Sequence, residues 1–458
     1  MNQFVIKKPN GLLVVSLIQL LLLFFYFTLN ITNVGEMGTA LPLLGGFVAL
    51  AGGVFFLQLV KSQISLRLHF VVFLLFVLWV ALRVIVDLGD MEHLKQITVA
   101  TTGGILLFFL LGTFARKALD TLTNANLKLT SSKTLLLTFL LVSTLIFLSF
   151  KGRLLDRDDI FYISGVEGGY QRPGNFLIML FVMASFTFIS ITSHPRTRKR
   201  INLFVWLGIY SIGMVLAVIS SQLIGSNAAT ANLLAIYLMT SVLALLSFNK
   251  NIRQAFYNKN LRLPLSKQTF KKLIKYAITA LVAVIFLAVI AIQVTGFDLS
   301  KTRAFGFGTG SNNSVTSRFD ILLETGAAQM SYAPFLGNVN VAELTTGNAG
   351  RTLHNFIPNL LAELGLVGLL IVLTLLFLVG WHLVKSIKTA SKEGKDLNQA
   401  IINLWLLFVL LFLFLYANIS VGKSWPVMWF FVGFAVSVFV TKVKRCVVKD
   451  ISQQLDIN

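Results

Sequence analysis

Residues 11–30 read GLLVVSLIQLLLLFFYFTLN, twenty positions without one charged side chain. At 1.5 Å per residue, a helix of that length covers the roughly 30 Å of hydrocarbon in a bilayer. The run is too long for a signal-peptide core and no small-residue cleavage site follows it, so a retained span is expected. The same reading recurs along the chain, near 39–60, 68–88, 97–115, 134–150, 175–193, 202–224, 228–248, 276–296, 356–381, 400–418 and 426–441. The expected fold is therefore an all-α polytopic membrane protein of about twelve transmembrane helices. No internal repeat and no soluble domain stand apart from these runs, so residues 1–458 are expected to form one membrane domain.

Composition leads to the same place. Of 458 residues 56 % are hydrophobic and 40 are Phe. Charged residues make up 12 %, about half the ~25 % of an ordinary soluble domain. A soluble enzyme, a disordered chain and a nucleic-acid-binding domain are excluded, because none could keep this much apolar surface from water. The single cysteine, Cys446, excludes an internal disulfide framework and any CxxC metal or redox site.

The net charge of +21 is a topology signal. With the N-terminus in the cytoplasm, 28 of the 39 Lys and Arg fall on inner segments, but only 5 of the 18 acidic residues. The inner face then carries +23 and the remainder −2, as the positive-inside rule requires. Both termini are expected in the cytoplasm. The basic face complements anionic lipid headgroups, and no nucleic-acid partner is expected. Two outer segments are long, about 151–174 and about 297–355, the second lying between helices nine and ten.

Candidate functional groups gather on these outer loops. Loop 297–355 carries Lys301, Arg303, Arg318 and Arg351. Arginine suits bidentate phosphate recognition, and Arg318 opens a stretch, Ser317 to Ala333, that reads as a short amphipathic helix ending at Pro334 and Gly337. His354 sits at the edge of the tenth span, which is expected to start near Asn355 because Pro358 is tolerated in a first turn. A helix N-terminus attracts anions and disfavours protonated imidazole, so His354 is expected neutral and able to accept a proton. Glu363 lies nine residues on, about 13 Å deeper and on the opposite side of the helical wheel. A structural hydrogen bond to a neighbouring helix is expected of it. Arg83, near the outer end of the third span with Asp87 at i+4, reads either as an arginine snorkelling to the headgroups or as a contact to an anionic ligand. In loop 151–174, Arg153, Arg157 and Arg172 stand among Asp156, Asp158, Asp159, Glu167 and the aromatics Phe161, Tyr162 and Tyr170. That mixture suits a sugar-binding surface or a salt-bridged packed loop. Asp158 and Asp159 lack the spacing of a metal motif, and Gly306, Gly308 and Gly310 read as a linker. No metal and no cofactor are expected.

The segment Arg351 to Gly368 resembles the signature of the O-antigen ligase and polymerase superfamily. It reads His354-Asn355, then Glu363-Leu-Gly365-Leu-Val-Gly368, at the start of a late span. Ser317-Arg318 followed by Pro334 and Gly337 is similar to the family's arginine helix in the same outer loop. The resemblance implies a membrane glycosyltransferase of GT-C architecture, with residues 297–355 as its extracytoplasmic catalytic loop. Its donor would be a glycan on a polyprenyl pyrophosphate at the outer leaflet of a bacterial cytoplasmic membrane. His354 would activate or position the acceptor hydroxyl, Arg318 would hold the pyrophosphate, and Asn355 and Glu363 would support the site. One departure is visible. The family often has Ser-Arg between its middle spans, whereas here the hairpin reads Ser220-Ser221-Gln222. Either Arg153, Arg157, Arg172 or Arg83 supplies the second cation, with Arg351 and Arg303 as further substrate-binding candidates, or the donor is gripped differently.

The function expected from this resemblance is polymerisation of lipid-linked repeat units into a capsule, exopolysaccharide or O-antigen, beside a flippase and a chain-length regulator. A ligase moving finished glycan to another acceptor is the alternative. A flippase or transporter is disfavoured, because transporters hold ionisable groups near the midplane and this chain has almost none there. The topology is open to test in a Cys446→Ala background. Ile160→Cys and Thr345→Cys should react with an impermeant thiol reagent in cells with an opened envelope; Thr197→Cys and Asn260→Cys should not. Labelling of Thr345→Cys only after the inner membrane is breached would overturn the orientation.

Overall fold

The computed structural model describes residues 11–32, 40–60, 64–88, 92–124, 128–150, 162–163, 166–167, 171–192, 200–247, 314–393, 397–436 and 439–441, with isolated helical positions between 282 and 293. Helices α1 (Gly11–Thr32), α2 (Leu41–Val60), α3 (Leu68–Leu88), α4 (Glu92–Asn124), α5 (Lys128–Phe150), α6 (Gln171–Thr192), α7 (Arg200–Leu223) and α8 (Asn227–Ser247) form the first part. Then come α9 (Ser314–Tyr332), α10 (Val341–Thr346), α11 (Phe356–Glu393), α12 (Leu397–Ser420) and α13 (Pro426–Ala435). Among the described residues, eight helices are long and apolar enough to cross a membrane. The protein is a multi-pass helical membrane protein. Large apolar side chains such as Phe56, Ile85 and Phe377 are exposed on its flanks, the surface that lipid covers. The expected ninth span, 276–296, lies outside the described residues apart from those isolated positions.

Helix α6 occupies the centre. Nearly every side chain from Pro173 to Thr192 is buried, and α6 touches α1, α4, α5, α7, α8, α12 and α13. A helix that is apolar all round is stable only where other helices cover every side. Its hydroxyls are satisfied within the helix: Ser185, Thr187 and Ser190 each donate to the carbonyl four residues back, so no polar atom faces hydrocarbon unpaired.

The expected twelfth span, 426–441, needs correction. Helix α13 has ten residues, about 15 Å, too few to cross a bilayer. After it the chain is extended: Phe439–Thr441 (β4) pairs antiparallel with Ile64–Leu66 (β1). A second antiparallel pair joins Tyr162–Ile163 (β2) to Val166–Glu167 (β3). Helix α13 is buried from Val427 to Ala435. It packs hardest on α4, where a methyl group at Gly112 would strike the Phe430 carbonyl and one at Gly433 the Phe109 carbonyl. Small residues let the two backbones meet. Phe73 stacks on Phe109 at 3.6 Å, and Phe76 stacks on Trp429 at 4.9 Å between ring centres.

Helix α11 is not continuous. Gly365 has φ 67° and ψ −174°, a region open essentially to glycine alone. The chain between α9 and α10 docks into the break. Leu366 donates its N–H to the Pro334 carbonyl (2.8 Å), Val367 to Phe335 (3.2 Å), and Asn338 to Ala362 (3.1 Å). Trp79 of α3 donates to the Leu364 carbonyl at 3.0 Å. Backbone groups released by the break therefore have partners inside the membrane protein, the condition for any broken helix in lipid. Gly337 (φ 73°) crosses Gly365 so closely that a side chain on either would meet the other's backbone.

Gly365→Ala should accordingly destabilise the protein by on the order of 2–5 kcal/mol, from the left-handed backbone and the collision together. Gly380→Ala, where nothing lies within 4 Å, should be neutral or slightly stabilising, by less than about 1 kcal/mol. Thermal unfolding of the two variants in detergent, compared with wild type, checks both.

Candidate active site

Helix α9 runs over Ser314–Tyr332, close to the expected 317–333. Its inner face carries Ile321, Leu322, Thr325, Gly326, Gln329 and Met330. Ile321, Leu322 and Met330 pack on a small core of Val341, Leu353 and Ala362. The spacing is that of one helical stripe. Polar contacts fix the docking: Gln329 donates to the Arg351 carbonyl at 2.9 Å, and Arg351 pairs with Glu324 at 3.4 Å on the exposed side. Arg318 lies one turn before Leu322, at the end of this stripe, and is half-buried.

His354 stands two residues before α11 and is half-buried. Its pKa lies below the usual imidazole value, first because burial disfavours the charged ring and second because the Arg318 guanidinium is close. The reading from sequence assigned the neutral state to the helix N-terminus. The structure adds burial and the Arg318 charge as causes and brings Arg318 and His354, 36 positions apart in the chain, into one electrostatic neighbourhood. A neutral imidazole beside a fixed cation can accept a proton next to a bound anion.

Asn355 clasps α12: its amide donates to the Asn418 carbonyl at 2.8 Å. The Asn418 side chain in turn accepts from the Ile357 N–H at 3.1 Å, one of the orphan donors at a helix start. Glu363 is buried and forms an ion pair with Lys423, which lies between α12 and α13 and is itself buried. Asn359 bridges the two, donating to Glu363 and accepting the Lys423 backbone N–H at 2.9 Å. The Lys423 carbonyl accepts from Trp429 at 2.7 Å. Trp425 donates to Asn175 of α6, also at 2.9 Å. The Glu-Leu-Gly-Leu-Val-Gly segment thus has a distinct part for each named residue. Glu363 anchors Lys423, Gly365 opens the helix, and Gly368 lies against Trp79.

Two expected substrate arginines are engaged in structure. Arg83 pairs with Asp87 and donates to the Gly337 carbonyl at 2.9 Å. Asp87 accepts from Val339 N–H at 2.9 Å, and its carbonyl accepts from Asn340 at 3.0 Å. Arg83 is buried and does not snorkel; with Asp87 it clamps the loop that fills the break in α11. Arg172, in the first turn of α6, donates to Asn30 of α1, while its Nη1 is buried with no partner among the described residues. Gly174, two residues on, packs against Ser226 in the hairpin between α7 and α8, where Gln222 bonds Asn227 and Thr230. Arg153, Arg157 and Arg303 lie outside the described residues. No three His, Cys, Asp or Glu side chains converge among the described residues. The groups assembled around His354 and Arg318 suit an anion.

No known family model matches the sequence, and no curated protein is significantly similar to it.

Sequence reasoning missed Lys423, Asn359 and Asn418. The signal for Lys423 was present: one lysine in the short connection Val421-Gly-Lys423-Ser-Trp425 between two apolar helices, with a lone buried acid elsewhere. Removing one partner of such a pair leaves an unpaired buried charge and costs about 3–5 kcal/mol. Lys423→Met should therefore unfold at a clearly lower temperature than wild type. The double variant Lys423→Met with Glu363→Leu should recover most of that loss.

Proposed function

We propose that this chain is a GT-C-type membrane glycosyltransferase that polymerises oligosaccharide repeat units carried on polyprenyl pyrophosphate, at the outer leaflet of a bacterial cytoplasmic membrane. The observation that carries this reading is the meeting of Arg318 and His354 at the mouth of the broken helix α11. In the proposed reaction an acceptor sugar hydroxyl attacks the anomeric carbon of the donor. A new glycosidic C–O bond forms, and the bond from that carbon to the pyrophosphate breaks. The electron pair leaves with polyprenyl pyrophosphate, and the hydroxyl proton passes to His354.

Arg318 has two effects in this scheme. Its fork of N–H donors matches the oxygens of the leaving pyrophosphate. Its charge also keeps His354 unprotonated before the donor arrives. A bound pyrophosphate offsets that charge, so the basicity of His354 rises when the proton must be taken. The leaving group is already a stable anion, and the chemistry rests on placing the acceptor oxygen and relieving it of its proton. Arg172, with its unpartnered Nη1, stands at the expected outer end of α6 as the second cation for the donor.

The test is transfer measured with purified protein and a lipid-linked oligosaccharide, product length being read on a gel. His354→Ala should lose about 10²–10⁴-fold in turnover while still binding donor. Arg318→Lys keeps the charge and loses the fork, at a cost of about 1.5–3 kcal/mol, roughly 10- to 150-fold. The pH profile separates the roles. Because His354 is held below the ordinary imidazole range, the acid limb of kcat/KM should lie below it too. Arg318→Gln removes one of the two lowering causes, so the limb should move to higher pH. An acid limb unmoved by Arg318→Gln, or a wild-type rate in His354→Ala, would overturn the assignment.

A further inference from the structure

A second polar cluster lies at the other end of the same helices. On α3, His69 is 14 residues from the Arg83 clamp, about 21 Å along the helix; on α11, His382 is 17 residues beyond the break, about 26 Å. Arg67, immediately before α3, lies with Nη1 2.7 Å from Nε2 of His382. The His69 and His382 rings are 6.0 Å apart between centres. Arg116 of α4 bonds Asp120 through Nε at 2.9 Å, and its guanidinium carbon lies 4.6 Å from the centre of the Phe186 ring. Arg67, Arg116 and Lys385 all act electrostatically on His382. Among the described residues, Asp120 is the carboxylate that acts on Arg67, against the cations Arg67, Arg116 and Lys385 around His382.

Two donors in this cluster have no partner. Arg116 and His69 are each only 5 % exposed, yet Arg116 Nη1 and His69 Nε2 find no hydrogen bond among the described residues. A buried cation with an unused N–H is costly unless an anion completes it. Helix α3 adds the positive end of its dipole, and its first turn holds no acidic residue. The donors come from the start of α3 and from α4, and their several N–H groups suit the several oxygens of one tetrahedral centre.

We propose that Arg67, His69, Arg116 and His382 form a binding site for a phosphate group at the end of the bundle opposite the candidate active site. In this site Arg67 turns its fork from His382 to the phosphate, while Arg116 Nη1 and His69 Nε2 donate to its remaining oxygens. The phosphate is supplied either by the headgroup of an anionic phospholipid in the adjoining leaflet or by a free phosphate.

Binding is measured on the full chain in detergent by native mass spectrometry and by thermal shift, with dioleoyl phosphatidylglycerol as one probe and inorganic phosphate as the other. Arg116→Gln should weaken the bound probe at least tenfold and abolish its stabilisation of the fold. Arg67→Gln, at a partly exposed position, should do the same and decides the matter if Arg116→Gln does not fold. Lys388→Gln, which removes one exposed charge on the same α11 turn region, should bind as wild type and so exclude a general charge effect. Site-dependent binding of phosphatidylglycerol without response to phosphate assigns the headgroup; saturable binding of phosphate that displaces the lipid assigns the free anion. Wild type that binds neither probe, or Arg67→Gln that binds both as wild type does, overturns the proposal.

Discussion

Helix α11 breaks at Gly365, and the segment from Pro334 to Gly337 fills the break. Much else at this end of the structure depends on that crossing. It fixes where α9 ends and therefore where Arg318 hangs. It frees the Leu364 carbonyl that Trp79 takes up, and it draws the Arg83–Asp87 pair to the loop at 337–340. The chain preceding α11 also becomes a short stiff arm, with His354 at its tip, tied to α12 through Asn355 and Asn418. A continuous α11 would leave no place for the incoming strand, and the outer helix would have nothing to register against. The chemistry proposed at His354 thus depends on backbone geometry eleven residues further along the chain.

Charges at depth are handled in three ways here. Glu363 and Lys423 neutralise one another, and Asn359 ties them together by donating to the Glu363 carboxylate and accepting the Lys423 backbone N–H. Arg83 pairs within its own helix and turns its spare donor to a backbone carbonyl. Arg116 has one nitrogen on Asp120 and an aromatic ring beneath it. Arg83 and Arg116 each keep one buried nitrogen without a partner among the described residues, Nε in the first and Nη1 in the second.

The spans were legible because apolar runs of about twenty residues are a local property, and helices α3, α6, α8 and α12 begin and end within a few residues of their expected limits. The outer helix was legible for the same reason: a stripe such as Ile321, Leu322, Thr325 and Gln329 shows its period within three turns. The break at Gly365 was not, because Glu-Leu-Gly-Leu-Val-Gly continues an apolar run and glycine inside a span is ordinary. What distinguishes it is Gly337, nearly thirty residues earlier. The shortness of α13 was hidden likewise, since the apolar character continues past Ala435 into a strand whose partner, Ile64–Leu66, is almost the whole chain away. Lys423 with Glu363 and Arg67 with His382 are pairings across 60 and 315 positions, beyond any periodicity. Arg83 was read as headgroup-seeking or as a contact to an anionic ligand because its partner carbonyl, Gly337, lies 254 positions away.

That last contact has a consequence for how the protein is made. Arg83 and Gly337 are separated by 254 residues. At a synthesis rate of about 5–20 residues per second, α3 enters the membrane roughly 13 to 50 s before its partner loop exists. During that interval an arginine near the end of a span would be a bare charge against lipid. Asp87, one turn away, supplies a partner from the same helix, so α3 is inserted as a locally neutral segment. The carbonyl of Gly337 then arrives to complete a pair that has already been waiting. A charge pair at i and i+4 that clamps the loop in the finished fold thus also supplies the arginine's counterion before that loop exists.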